Sequence, residues 1–414
     1  MACAACSPAM ADAPLRSLPY GRQVIEDDDI AAVVEALQSD FLTTGPRGEA
    51  FEAAFAEKVG AAHAVACSNG TAALHLAMLG LGVGPDDVVI VPSITFAATA
   101  NCARYQGAEV VFADVDPDSG LMTPGTLADA IKRLGGRRLR AVLPVHLSGH
   151  AVDLPGLRAL SDEQGAVLVE DACHAVGTRM AFDNRPERVG DGRHSAMACF
   201  SFHPVKTMTT GEGGMVTTND PAMAVRLAAL RSHGITRDVA AFTASELSLD
   251  AASGAANPWS YEMQALGYNY RLPDLLCALG LTQLAKLDRF TARRRALTGR
   301  YQTLLAPLAP TVRPQPGGAY EDPALHLLVV LIDFEALGRS RKGVMEALRA
   351  RGIGSQVHYI PVHRQPYYAA RYGQTDLPGA DAWYARCLSL PLFAGMEEGD
   401  VDRVVEALRA VLEG

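Results

Sequence analysis

The sequence predicts an α/β fold, in which a large, mostly parallel sheet covered by helices is followed by a smaller α/β unit. Short apolar runs alternate with amphipathic stretches from about residue 64 to 170, the pattern of repeated βα units that build a parallel sheet. After a Pro/Gly-rich break at 314–318, Pro-Gln-Pro-Gly-Gly, the alternation begins again. Polar clusters follow the apolar runs at 68–71, at 171–174 and at 201–214, where sheets of this kind bind ligands.

Taken in order, residues 1–18 read as a flexible arm of small residues and prolines. Asp27, Asp28 and Asp29 cap a helix over 30–39 with Ile30, Val33, Val34 and Leu37 on one face. Thr-Thr-Gly-Pro at 43–46 ends it, and a second helix runs to about Val59. The run 64–68 predicts a strand, and Asn69, Gly70 and Thr71 open a helix over 72–79. Strands are expected at 87–91, 109–112, 140–145 and 166–170, with helices at 97–105, 126–133 and 154–164 between them. The Ala/Ser-rich stretch 238–258 reads as a mobile insertion. Helices resume at 275–287 and 289–304. A strand at 326–332, a helix at 342–351, a strand at 354–358 and a closing helix at 398–412 complete the chain. We therefore expect a large domain over 19–290 and a small one over 291–414.

Composition narrows the function. The 414 residues carry a net charge of −9 with no basic block, which gives nucleic acid and anionic membrane nothing to hold. No run approaches the roughly 18 apolar residues of a spanning helix, and no leader pattern opens the chain, so a cytoplasmic protein is expected. Eight cysteines are scattered without framework spacing apart from Cys3-Ala-Ala-Cys6 in the arm. His146 and His150 lie four apart, but Pro144 and Ser148-Gly149 argue against a helix that would pair them, and no metal site is expected.

The chemistry centres on 201–214, Ser-Phe-His-Pro-Val-Lys-Thr-Met-Thr-Thr-Gly-Glu-Gly-Gly, which lies between two strand-like runs. Ser201, Thr207, Thr209 and Thr210 with three glycines place hydroxyls and amides around Lys206, so an anion and an amine can share the turn. A phosphorylated aldehyde such as pyridoxal phosphate (PLP) needs both a Schiff-base lysine and a phosphate cup. A solvated lysine in a Gly-Thr hairpin has the same composition. Gly70 and Thr71, at a strand-to-helix turn, form a second anion site or an ordinary capped turn. Asp171 ends a buried strand, where a carboxylate needs a partner such as a pyridinium N–H, or serves as a helix cap. His174 follows three residues on and could meet the ring or its oxygen.

Five segments occur together in one order: Ser-Asn-Gly-Thr-Ala-Ala-Leu-His-Leu at 68–76, Pro-Ser-Ile-Thr-Phe-Ala-Ala-Thr-Ala-Asn at 92–101, Glu-Asp-Ala-Cys-His at 170–174, the lysine stretch, and Gly-Tyr-Asn-Tyr-Arg-Leu at 267–272. In these the sequence resembles the DegT/DnrJ/EryC1/StrS family of PLP-dependent sugar-nucleotide aminotransferases, over residues 20–414. The resemblance implies a fold-type-I, aspartate aminotransferase-like PLP transferase. It makes Lys206 the Schiff-base lysine, Asp171 the partner of the pyridine nitrogen, His174 a contact on the ring-oxygen side and Phe96 the residue stacked on the ring. Gly70, Thr71, Ala72 and Ser201 match phosphate contacts, and Asn269 one supplied by a neighbouring subunit, implying a homodimer with shared active sites.

Further segments, Phe-Leu-Thr-Thr-Gly-Pro at 41–46, Phe-His-Pro-Val-Lys at 202–206, Arg-Ser-His-Gly-Ile-Thr-Arg-Asp at 231–238, Pro-Trp-Ser-Tyr-Glu at 258–262 and His-Tyr-Ile-Pro-Val-His-Arg-Gln-Pro-Tyr-Tyr at 358–368, resemble the transaminases of pseudaminic acid synthesis. These imply transfer of an amino group from L-glutamate, released as 2-oxoglutarate, to C4 of UDP-4-keto-4,6-dideoxy-N-acetyl-β-L-altrosamine. Cys173 stands where alanine is usual, and the insertion at 238–258 is longer than the pattern. Two competing readings weigh less. A sugar 3-dehydratase of this family would carry histidine in place of Lys206, and a ligand-sensing regulator would be expected to carry a basic DNA-binding segment.

Overall fold

The computed structural model describes residues 16–413 except 183 and 319; Cys3 and Cys6 lie outside the described residues. Helices α1 (Asp27–Gln38) and α2 (Pro46–Val59) lead into strand β1 (His63–Cys67) and helix α3 (Gly70–Leu81). Then β2 (Asp87–Pro92), α4 (Ala97–Tyr105), β3 (Glu109–Ala113), α5 (Pro124–Lys132), β4 (Arg138–Val142), α6 (Leu154–Glu163) and β5 (Val167–Asp171) alternate as expected. A hairpin, β6 (Arg179–Phe182) and β7 (Arg185–Arg188), precedes β8 (Met197–Ser201) and β9 (Gly214–Thr218).

Seven of these strands form one sheet in the order β1-β9-β8-β5-β4-β2-β3. The pairs from β3 through β8 are parallel, and β9 alone is reversed, pairing antiparallel with both β8 and β1. β2, β8 and β9 are buried at every position, which is why the middle of β2, Val88 to Val91, and most of β8 read as apolar runs. The carboxyl ends of β1, β2, β5 and β8 open toward one side, and the polar clusters stand there. α2 seats Phe51 and Phe55 edge-on against Phe202 and Phe200 at 5.0–5.4 Å, bracing the turn that follows β8. Truncating either α2 phenylalanine to alanine would cost about 3–5 kcal/mol.

Helix α7 (Pro221–Arg231) and strand β10 (Ile235–Thr236) lead into 238–258, which includes a single helical turn, α8 (Ser245–Ser248), before β11 (Glu262–Met263) pairs with β10. The Glu262 carboxylate accepts hydrogen bonds from Thr243 N, Ala244 N and the hydroxyls of Thr243 and Ser248, so this stretch folds around one buried anion.

Helix α9 (Asp274–Ala285) packs on α1 and α2, and the 19-residue α10 (Leu287–Leu305) follows. Residue 290 lies inside α10: Leu287 belongs to the core of the large sheet, whereas Leu297, Tyr301 and Leu305 belong to a second core. That core surrounds β12 (Val312–Pro314), β14 (Leu328–Ile332) and, later, β15 (Cys387–Leu390), with the short β13 (Glu321–Asp322) pairing back to β6. In β14, Leu328, Val330 and Ile332 face the second core while Val329 and Leu331 face the first. Strand alternation thus explains a run apolar at every position. Helices α11 (Arg341–Ala350), α12 (Pro366–Tyr372), α13 (Pro378–Arg386) and α14 (Glu398–Glu413) complete the chain.

Two expectations are corrected. Residues 354–358 make only one bridge, Gln356 to Ser389, and the third strand is β15. All four β15 residues are buried, whereas Gln356 is exposed, so β15 returns more apolar burial for the same backbone pairing. The arm's last residues are docked: Leu18 is fully buried, donates to Gly352 O and accepts from Gly354 N. Among the described residues no helix is long and apolar enough to cross a membrane.

Candidate active site

A cleft of about 710 Å³ opens at the carboxyl ends of the strands, lined by Gly70, Thr71, Phe96, Asp171, His174, Ser201 and Lys206. Seven of the nine residues singled out from sequence meet there. Ala72 is buried behind the cleft, and its N–H donates to Asn69 Oδ1 at 2.8 Å. Asn269 is exposed on the loop after β11 and does not line the cleft of its own chain.

Lys206 is carried by the turn after β8, where its N–H closes on His203 O at 2.8 Å. The hydroxyls around it do not form the expected cup. Thr209 Oγ1 donates to Phe202 O, and Thr210 Oγ1 to Glu212 O; these threonines hold the turn's shape, and only Ser201 of the four hydroxyls lines the cleft. Free donors stand instead at the α3 N-terminus. The first amides of a helix lack intrahelical acceptors, and with Ala72 N capped by Asn69, the N–H groups of Gly70 and Thr71 are the ones left to face an anion. A Cβ on Gly70 would stand 2.8 Å from Ser201 Cβ, and one on Gly214 would stand 2.4 Å from Asn69 O. Glycine at both positions lets the lysine hairpin press against the start of α3.

Asp171 is 4% exposed. Its Oδ2 accepts from Thr99 Oγ1 at 2.7 Å and its Oδ1 from Cys173 N at 3.2 Å, so both oxygens are held in place. Burial pulls the Lys206 ammonium below its ordinary range, against the opposing pull of Cys173 and Asp171, and so favours the nucleophilic amine. Burial pushes the Cys173 thiol well up, with Asp171 adding to it, so Cys173 is an unreactive thiol here.

Three imidazoles, His174, His326 and His358, complete the wall, each held neutral by burial and then by the nearby lysine charge, His358 down to about 3. His174 Nδ1 accepts from Ser148 N at 3.2 Å, and its Nε2 lies 3.1 Å from the Tyr359 hydroxyl. Arg294 on α10 is 1% exposed and donates to His326 O and Leu392 O, with Lys206 O at 3.5 Å. It fastens the lysine turn to the second core, and burial pulls its guanidinium to about 10.

Sequence reasoning missed Thr99, His326, His358 and Tyr359. Thr99 lies within the quoted 92–101 segment without any signal of its own, whereas His358 and Tyr359 head the quoted 358–368 segment, whose His/Tyr density in a chain of only 6% aromatics is a signal for site residues as well as for the sugar. His146 and His150 pair separately, with Glu170 at 2.9 Å and Glu321 at 2.8 Å.

The DegT/DnrJ/EryC1/StrS aminotransferase family model matches residues 23–409, and the chain belongs to this family. It is a PLP-dependent sugar aminotransferase of fold type I. Among solved structures it is similar to Helicobacter pylori PseC, an aminotransferase involved in the biosynthesis of pseudoaminic acid. Identity there is 27%, 96% of this chain and 100% of that one are covered, and the TM-score is 0.84. S. venezuelae DesV is 35% identical over 93% of this chain and 94% of its own, with a TM-score of 0.79. Spr1654 from Streptococcus pneumoniae, a putative sugar aminotransferase solved in a PLP form, is 26% identical over 96% and 99%, with a TM-score of 0.83.

Proposed function

We propose that this chain transfers an amino group from L-glutamate to C4 of UDP-4-keto-4,6-dideoxy-N-acetyl-β-L-altrosamine, the amination step of pseudaminic acid synthesis. The observation that carries the chemistry is the single cleft into which Lys206, Asp171 and the α3 N-terminus all open. The residues fit PLP: Gly70, Thr71 and Ser201 would hold its phosphate, Asp171 its ring nitrogen, Phe96 a ring face and Lys206 its aldehyde. Bound there, PLP supplies an electron sink for the bond cleaved at the amino carbon. Lys206 Nζ, biased toward the free amine, takes the proton from the glutamate α-carbon and returns one when the sugar is aminated. Asp171, oriented by Thr99 and Cys173 N, would face the ring nitrogen and favour positive charge there. The neutral imidazoles add no competing cation.

The sugar rests on the five substrate-side segments and on the likeness to PseC. Asp274 fixes one of them, accepting from Gly45 N at 2.8 Å and Arg47 N at 3.1 Å, which leaves Phe41 and Leu42 exposed. The higher identity to DesV favours a second reading, another nucleotide-linked keto-sugar. Incubating the protein with glutamate and candidate UDP- or TDP-linked 4-keto-sugars, with NMR of the products, decides between them. A 4-amino product from the altrosamine precursor alone supports the first reading, and turnover only of other sugars contradicts it.

We also take the active unit to be a two-fold dimer. Ile30, Val34 and Leu37 on α1, with Phe41, Leu42, Trp259, Met263 and Leu266, are exposed in the single chain, more apolar surface than a monomer usually leaves wet. Asn269, flanked by the stacked rings of Tyr268 and Tyr270, faces outward, as a residue lent to the partner's phosphate would.

A further inference from the structure

We propose that the Tyr359 hydroxyl is a hydrogen-bond donor to the phenolic oxygen of PLP, making Tyr359, so far placed only within a sugar-side segment, a cofactor-contacting residue. The inference rests on the placement of PLP given above. A backbone N–H can only donate, so the Ser148 N–H fixes His174 Nδ1 as an acceptor at 3.2 Å. His174 is buried and neutral, so its one proton sits on Nε2. That Nε2–H points at Tyr359 Oη, 3.1 Å away, and the phenol oxygen is therefore the acceptor of this contact. The phenol's own proton is left over, and Tyr359 lines the cleft. Burial, with Asp171 close by, pushes the phenol well above its ordinary range, so it keeps this proton.

Ring connectivity says what the proton meets. On PLP the nitrogen and the aldehyde carbon lie at opposite ends of the ring, and the phosphate arm and the phenolic oxygen leave from opposite edges. Asp171 takes the nitrogen and Lys206 the aldehyde, while Gly70, Thr71 and Ser201 take the phosphate edge. The oxygen edge then faces the remaining wall, where the Tyr359 ring lies 6.1 Å from His174 and 6.2 Å from Phe96. A neutral donor beside an anionic phenolic oxygen is a charge-assisted hydrogen bond.

The test uses Tyr359→Phe, which keeps the ring and removes one oxygen, and two ligands for the apoprotein: PLP and 3-deoxypyridoxal phosphate, which lacks the phenolic oxygen. Both keep the aldehyde and the phosphate, so the bond to Lys206 and the cup contacts cancel between variants. Equilibrium dialysis should show Tyr359→Phe binding PLP about ten-fold more weakly and the deoxy analogue within about two-fold of wild type, a coupling that a double-mutant cycle isolates. Thermal melting of the apoprotein confirms that the variant is folded. Equal losses for both ligands, or none for either, would overturn the proposal, as would an effect confined to the KM for keto-sugar. Failure of the wild-type apoprotein to bind PLP would overturn the placement of the cofactor as well.

Discussion

Thr99 donates its hydroxyl proton to Asp171 Oδ2 across 2.7 Å, and having given that proton it accepts from Thr95, another 2.7 Å away. All three side chains are buried. The relay is directional, two hydroxyls on and before α4 aimed at one carboxylate at the end of β5. Asp171→Ala is expected to fold and to lose most activity, with about 3 kcal/mol or more of transition-state stabilisation gone, while Asp171→Glu keeps some. Thr99→Val should lower kcat by about ten-fold or more, the worth of a hydrogen bond to a charged group. Steady-state kinetics check both, and near wild-type rates for Asp171→Ala would reduce the carboxylate to a helix cap.

Lys206 carries a stability signature that does not depend on turnover. Its folded pKa lies below the unfolded value, so between the two the unfolded chain binds more protons and stability rises with pH. At neutral pH the apoprotein bears the cost of a buried ammonium, and that cost fades as pH approaches 10.5. Lys206→Met keeps the stem and drops the charge. Apo Lys206→Met should therefore melt higher than wild type at pH 7, with the gap closing by pH ~10. A gap that does not change with pH would mean that Lys206 titrates normally.

The imidazole wall should make the protein acid-labile. His326 is 2% exposed, its Nδ1 has no hydrogen-bond partner among the described residues, and burial holds its pKa well below 6.5. Below pH 6.5 the unfolded chain takes up a proton that the folded chain refuses, so stability falls as pH falls from there toward the folded pKa. His326→Leu removes that uptake. Acid-unfolding curves followed by circular dichroism should shift to lower pH in the variant, and an unchanged midpoint would show that His326 does not contribute.

Subunit sharing is open to complementation. Asn269→Asp, which sets a carboxylate against the partner's phosphate, should be nearly inactive by itself. Refolded together with Lys206→Ala chains, about half the dimers are mixed, and each mixed dimer has one intact site, so activity should recover to roughly a quarter of wild type. No recovery, with mixed dimers shown by mass spectrometry, would place both residues in one chain's site.

Lys206, Asp171 and the Gly70–Thr71 turn are legible in the sequence because each follows a short apolar run, and the end of a buried parallel strand is where such a sheet opens. The order of βα units is legible for the same reason. Tyr359 reaches His174 across 185 positions and Thr99 reaches Asp171 across 72, contacts made by tertiary packing with no local pattern to announce them. The threonines after Lys206 mislead because a hydroxyl's composition does not say whether it faces a ligand or its own backbone. Periodicity finds the apolar face of α1 but not what covers it. The 354–358 run fails as a strand because pairing follows burial, and β15 buries more.

The most direct test of the account is chemical trapping of the cofactor lysine. PLP-loaded protein reduced with borohydride, digested and mapped by mass spectrometry should carry the phosphopyridoxyl group on Lys206, and Lys206→Ala should bind PLP without becoming labelled and without aminating a keto-sugar. Labelling at another lysine in the native protein, or turnover above trace level in Lys206→Ala, would contradict it.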